Sequence, residues 1–212
     1  MWEERPPTLV VRALLHSGVP TERRDVVRNR AALVAAAARV FSERGAAAPL
    51  AEVASEAGVG RATLHRHFPE RHLLAAAVYH QHIDDVVAFV AANGGDDCPL
   101  ELVVRRIVAG QSRLAGLFPL LRSTPEAADA LLALGARFAA LLAAPLAAAQ
   151  RRGEVDPSVT VDDVQLVLTM IEGVLASYDG GELTIAIDRA VTIALAGLRR
   201  GALAGDYPAS PS

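Results

Sequence analysis

The stretch LAEVASEAGVGRATLHRHF, Leu50 to Phe68, decides the fold. It holds two short segments with apolar faces, separated by Gly58 and Val59. Two helices that cross steeply need a small residue where they touch and a turn residue that tolerates φ > 0. Ala54 supplies the first and Gly58, four residues on, the second. Leu64, six residues further, anchors the following helix, while Val53, Ala57 and Val59 fill the remaining inward positions. Ala-x-x-x-Gly alone says little in an alanine-rich chain, but the full combination predicts a helix-turn-helix. Its helices run from Pro49 to Gly58 and from about Gly60 to His67.

Outward from there the helical period continues in both directions. A preceding helix from about Asp25 to Glu43 repeats Leu33, Ala37, Val40 and Phe41 at helical spacing and ends at Gly45. Glu70 to about Ala92 forms a long helix, followed by the linker NGGDDCP. Pro99 to about Gly116 is the next helix, and Phe118–Arg122 a short turn. Thr124-Pro125-Glu126 reads as a capped N-terminus. Its helix runs toward Gln150 and is kinked by Pro145. Thr160 caps a helix to about Tyr178, and a last helix spans about Glu182 to Arg200. The expected organisation is a flexible arm (1–24), a helix-turn-helix domain (25–72), a helical bundle (73–203) and a tail (204–212).

Composition agrees with an all-α protein. Of the 212 residues 52% are hydrophobic, much of that alanine, and only 4% are aromatic. Alanine is the best helix former, and the β-branched and aromatic excess of strands is missing. All 21 basic residues are arginine. The net charge of -3 hides an asymmetry, because residues 21–72 carry nine Arg against six acids. A basic segment on an acidic body predicts an anionic partner for that segment alone. The single cysteine, Cys98, excludes an internal disulfide and suits a reducing compartment. The apolar run Phe138–Ala149 is shorter than the roughly 20 residues of a membrane span. It is expected to be a buried helix of a cytoplasmic protein without a membrane partner.

Enzymatic motifs are missing from the sequence. There is no nucleophile elbow, phosphate-binding glycine loop or spaced CxxC pair. His65-Arg66-His67 and His80-Gln81-His82 suggest zinc, but i and i+2 face different ways on a helix. His80 and Asp84 share a face without an evident third ligand, so neither a metal nor a cofactor is expected.

From about Arg30 to Leu74 the chain resembles the tetracycline-repressor (TetR) family of bacterial regulators. AALVAAAARVFSERG, LAEVASEAGVGRATLHRHF and PERHLL carry the resemblance in order and spacing. It implies a dimeric transcriptional regulator, a repressor released from a palindromic double-stranded DNA operator by a small effector, acting in the bacterial cytoplasm at the nucleoid. Gly60–His67 would be the recognition helix in the major groove. Arg61 would read a base by its bidentate fork. Thr63 would meet a phosphate or a thymine methyl, and His65, His67 and Arg71 would hold backbone. Gly60, Ala62 and Arg66 complete the expected surface. Two departures stand out. The family usually has tyrosine where this chain has His65 and lysine where it has Arg71. Ala48-Pro49 also lacks the hydroxyl that commonly caps the second helix and touches DNA, for which Arg23, Arg24, Arg28 and Arg30 could compensate.

In the second half, Val164, Leu168, Ile171, Leu175 and Tyr178 form one stripe, and Val167, Met170 and Val174 another. The last helix shows Ile187, Val191, Ala194 and Leu198 beside a small-residue face of Ala186, Ala190 and Gly197. Helices apolar on two sides are buried on two sides. One stripe is expected in the subunit's own core and the other (Val167, Met170, Val174, Ala186, Ala190, Gly197) at a homodimer interface, the alternative being a monomeric core. From the family's architecture, the effector cavity would be lined by Tyr79, Phe89, Gln111, Arg113, Phe118, Arg137 and Phe138, and the paucity of charge there favours an apolar effector. The competing reading is a helical sensor or partner-binding protein of the same fold that has lost operator binding.

Overall fold

The structure, a computed structural model, describes residues 19–175, 177 and 180–199. Residues 1–18 of the expected arm, Tyr178 and the tail 204–212 lie outside the described residues. Among the described residues there are nine α-helices and no strand. The first four are α1 (Val19–Arg44), α2 (Leu50–Glu56), α3 (Arg61–His67) and α4 (Arg71–Ala92). After a 3-10 turn at Gly95–Asp97 come α5 (Leu100–Arg113) and α6 (Leu117–Arg122). A second such turn, Pro125–Ala127, leads into α7 (Ala128–Arg151), followed by α8 (Val161–Leu175) and α9 (Gly180–Gly197).

The turn between α2 and α3 has the required geometry. Gly58 has φ +66°, Ala54 and Leu64 are buried, and the Val59 N–H donates to the Ala54 carbonyl at 3.0 Å. α1 begins at Val19 rather than Asp25, with Pro20 in a first turn that needs no proline N–H. Thr124 does not cap α7. Its hydroxyl donates back to the Leu120 carbonyl at 2.7 Å, a local bond that competes with capping, and the chain tightens into the 3-10 turn. Thr160 does cap α8. Its Oγ1 accepts from the Asp163 N–H while the Asp163 carboxylate accepts from the Thr160 N–H at 2.7 Å. That reciprocal box holds the Asp163 carboxyl below its ordinary range.

Two apolar cores share the bundle. The first joins Leu33 and Phe41 of α1, Val53 of α2, Leu64 and Phe68 around α3, and Leu74, Tyr79 and Ile83 of α4 to Leu117 and Leu121 of α6 and Leu134 of α7. The second gathers Val86, Val104, Ile107, Leu142, Leu146, Val164, Ile171, Val191 and Leu198 from α4, α5, α7, α8 and α9. Phe138 packs against both. The helix-turn-helix is therefore continuous with the body through α4 and α6. The segment Pro125–Arg151 has the length and apolarity of a membrane span, yet its Leu134, Leu142, Leu146 and Ala149 lie in these cores. α4 packs against α5 at Gly110, where an added Cβ would collide with the His82 ring. The His82 ring fills that space, and burial pushes its pKa down to about 4.

Candidate nucleic-acid interface and effector cavity

α3 is seven residues long and buries only Leu64. Arg61, Ala62, His65 and Arg66 are exposed, while Thr63 and His67 are half-buried, His67 leaning on the Phe68 ring. Gly60 is the extended residue before the helix, its carbonyl accepting from Thr63 and Leu64. Among the described residues Arg61 and Arg66 have no ion-pair partner, and α3 contains no acid. A surface of arginine and imidazole donors around a short helix end has the chemistry to meet phosphates and guanine edges.

Most of the neighbouring arginines are engaged within the protein. Arg39 pairs with Glu56 at 2.9 Å and Arg44 with Glu52 at 3.0 Å, tying α2 to α1. Both pairs are exposed, so each contributes about 1 kcal/mol or less. Their consequence is electrostatic, because they neutralise the acids of α2 beside α3. Arg28 pairs with Asp25 at 3.1 Å, and Arg30 stacks on the Phe68 ring at 4.9 Å. Arg71 departs furthest from expectation. Its Nη1 donates to the carbonyls of Ala46 and Ala48, at 2.7 and 2.8 Å, and the group lies over the Phe41 ring. These bonds fix the loop before α2, whose N-terminus at Pro49 has no side-chain cap. Arg71 thus braces the helix-turn-helix from within, at the point where the hydroxyl is missing.

A cavity of about 400 Å³ opens between α4, α5, α6, α7 and α8. Four of the residues expected there line it, namely Tyr79, Gln111, Phe118 and Phe138. Tyr79 and Phe118 meet edge to face with centroids 5.9 Å apart. Three do not line it, for reasons of helical phase or of distance along the helix. Phe89 lies further along α4 and stacks with Arg106 at 5.6 Å. Arg113, two residues after Gln111, faces the other side of α5, on a cleft with Ser42, Glu43 and His82. Arg137, one residue before Phe138, turns to α4, bonding His80 Nδ1 at 2.8 Å and pairing with Asp84. That contact also gives His80 and Asp84 a partner on α7.

Sequence reasoning missed the polar wall. Gln165, Leu168, Thr169 and Glu172 recur at i, i+3, i+4 and i+7 and place one face of α8 on the cavity, opposite Arg122 of α6. Glu172 is half-buried, accepts from Gln111 Nε2 at 3.1 Å, and is pushed up to about 7 by burial. Its signal in the sequence is an acid set within the apolar pattern of α8. The wall is therefore amphipathic.

On the outer side of α8 and α9, Met170 is 63% exposed, and Leu166, Ile185 and Ile193 are also exposed. Gly197 shares this outward side, while Val174, Ala186 and Ala190 are half-buried. Val167 is buried in its own chain's core, and Leu166 takes the outward place expected of it.

Residues 33–78 match the family described as bacterial regulatory proteins, tetR family. The chain is 39% identical over 85 residues to the HTH-type transcriptional repressor LfrR of Mycolicibacterium smegmatis, a match that spans 40% of this chain and 44% of that protein. It is 32% identical over 136 residues to the HTH-type transcriptional regulator Rv2250c of Mycobacterium tuberculosis, covering 61% of this chain and 70% of that one. A crystal structure of a TetR transcription regulatory protein from Mycobacterium vanbaalenii superposes with a TM-score of 0.60 at 30% identity, over 84% of this chain and 98% of that one. The helix-turn-helix geometry, the helical body behind it and these relationships together make the chain a member of the TetR family of transcriptional regulators.

Proposed function

We propose that the protein is a repressor that binds a palindromic operator as a homodimer and releases it when a small molecule enters the cavity. The observation that carries this reading is α3, a helix held by one core residue whose unpaired Arg61 and Arg66 face outward. α3 enters the major groove, Arg61 reads a guanine edge, and Thr63, His65, Arg66 and His67 hold phosphates beside it, with Gly60 and Ala62 allowing close approach. Arg28 and Arg30 serve the flanking backbone by exchanging weak intramolecular contacts for phosphate. Arg71 acts as a positioning residue rather than a phosphate contact. One such helix reads only a few base pairs, so a two-fold pair is needed for operator length. The exposed Leu166, Met170, Ile185 and Ile193 supply the apolar face that a partner would cover.

Release follows from shared parts. Phe118 and Arg122 of the cavity wall belong to α6, whose leading Gly116 lies against Ala46, a Cβ there standing 3.3 Å from the Ala46 side chain. Ala46 is also one of the carbonyls held by Arg71. A ligand that favours a displaced α6 therefore favours a displaced α2–α3 unit, and occupancy shifts the population away from the DNA-binding form.

Selection from random double-stranded DNA, followed by salt titration of the winners, tests the reading. A palindromic consensus with a steep salt slope is the expected result. Arg61→Ala is expected to cost about 1–3 kcal/mol at one base position and relax specificity there. An equal loss on all sequences would make Arg61 a phosphate contact. The engagement of Arg39, Arg44 and Arg71 within the protein favours one alternative, a sensor of the same fold without operator binding, for which no sequence would be enriched.

A further inference from the structure

The geometry points to a ligand class for the cavity: an amphipathic organic cation, its protonated nitrogen on Glu172 and its apolar body between Phe118 and Phe138. This rests on the reading of the cavity as the effector site and deepens it.

Glu172 presents a carboxylate to a partly open cavity that also holds Phe118, Leu131, Leu134 and Phe138, and among the described residues no cation lies within ion-pair distance of it. Its one hydrogen bond comes from Gln111 Nε2. The Gln111 amide beside it is buried, and its Oε1 finds no donor in the protein. A buried acceptor without a donor, Gln111 Oε1, thus sits beside a carboxylate with a single hydrogen bond from the protein. Buried carboxylates persist when something pairs with them, and a half-satisfied polar pair is costlier than an apolar wall. A ligand ammonium supplies both the charge and the missing donors, and can take the free carboxylate oxygen directly.

The other groups facing Glu172 do not replace it. Tyr79 from α4 is a neutral phenol, held well above its ordinary range by burial and by the nearby carboxylate. Arg122 from α6 is exposed and acts on Glu172 only at a distance. α7 contributes Leu131, Leu134, Gly135 and Phe138 to the wall, while its Arg137 is turned toward His80 and Asp84. From α8 itself come Gln165, which donates to the Gly135 carbonyl, and Thr169, which donates to the Gln165 carbonyl. Without a ligand, burial holds the carboxyl near neutrality at about 7. A cation favours the ionised form, so binding expels a proton and strengthens as pH rises through that value.

Calorimetric titration with three probes of one shape, 4-phenylbutylamine, 4-phenylbutan-1-ol and 4-phenylbutyrate, tests the class. The amine is expected to bind at least about tenfold more tightly than either analogue at pH 8. It should lose about tenfold in affinity between pH 8 and pH 6, with proton release on binding. Glu172→Gln, isosteric and able to keep its contact with Gln111, should erase both the preference and the pH dependence. Gly135→Leu fills the cavity and should block all three probes, with Leu131→Trp as a second filler. If the probes bind alike, or the carboxylate binds best, and the fillers block them, the cavity is a ligand site but not for cations. A preference for the amine that survives Glu172→Gln also overturns the inference. If no probe binds the folded protein at millimolar concentration, the effector reading falls together with the cation.

Discussion

Gly110 and Gln111 are neighbours on α5, and they mark two different ways of burying a polar group. On the Gly110 side, α4 comes so close that the His82 imidazole occupies the place of a side chain. The ring packs with Phe138, its centroid 6.5 Å away, and its Nε2 finds no partner in the protein. On the Gln111 side, the helices part and leave a cavity into which Glu172 faces. His82 is buried neutral by tight packing, whereas Glu172 is raised toward neutrality beside unfilled space. The contrast separates a structural polar group from one available to a ligand. Both have perturbed pKa values and both border open space, but the His82 ring is itself seated against Gly110 while Glu172 faces the larger cavity.

The largest effect should come from closing the tight side. Gly110→Ala forces a methyl into the His82 ring and is expected to cost about 3 kcal/mol of stability, measured by urea denaturation. Adding His82→Ala to that variant should recover part of the loss, because the two positions share one volume. A Gly110→Ala protein of unchanged stability would show that α4 and α5 part easily, which would break the comparison.

Next comes acid. His82 titrates at about 4 in the folded chain and near 6.5 when unfolded, so the unfolded state takes up protons first as pH falls. Stability from this residue is full above pH 6.5 and declines from there down to about pH 4, by about 2 kcal/mol. In a Glu172→Gln background, which removes the opposing titration, denaturation midpoints from pH 7 to pH 4 should show the decline, and adding His82→Gln should flatten it.

The smallest effect has the opposite sign. Glu172 titrates at about 7 folded and near 4.5 unfolded, so the folded state holds its proton longer as pH rises. Stability is highest below pH 4.5, falls up to about pH 7 and is level beyond. Glu172→Gln is therefore expected to stabilise the protein at pH 8 by about 1 kcal/mol and to do little at pH 4.5. Thermal melts at the two values sharpen the comparison, since His82 and Glu172 should move in opposite directions over overlapping pH intervals.

The helix-turn-helix was legible because its determinants are local. Ala54, Gly58 and Leu64 lie within eleven residues, and each is dictated by a crossing, a turn or a core contact. The cavity was only half legible, since five helices build it and their rotation about their own axes is fixed by packing far along the chain. Tyr79, Gln111, Phe118 and Phe138 could be placed by the family's architecture, whereas Arg113 and Arg137 sit a fraction of a turn away from where they needed to be and Phe89 lies ten residues beyond Tyr79 along α4. Arg71 illustrates a third limit. Its charge and position suited phosphate, but two carbonyls from a loop more than twenty residues earlier take its donors, and backbone acceptors leave no trace in a sequence. On the outer face of α8 a shift of one residue, Leu166 for Val167, separates surface from core.

The sparse anchoring of α3 bears on how such a protein diverges. Leu64 alone of its seven residues lies in the core, and the unit is braced from α1 and α4 rather than from the helix itself. Surface substitutions away from buried contacts change stability by about half a kcal/mol or less. Arg61, Ala62, His65 and Arg66 can therefore be exchanged one at a time while the fold is retained. With α3 as the proposed reading helix, DNA preference would be a heritable variable that drifts almost independently of folding, and duplicated copies of the chain would acquire new target sites before their bodies had changed at all.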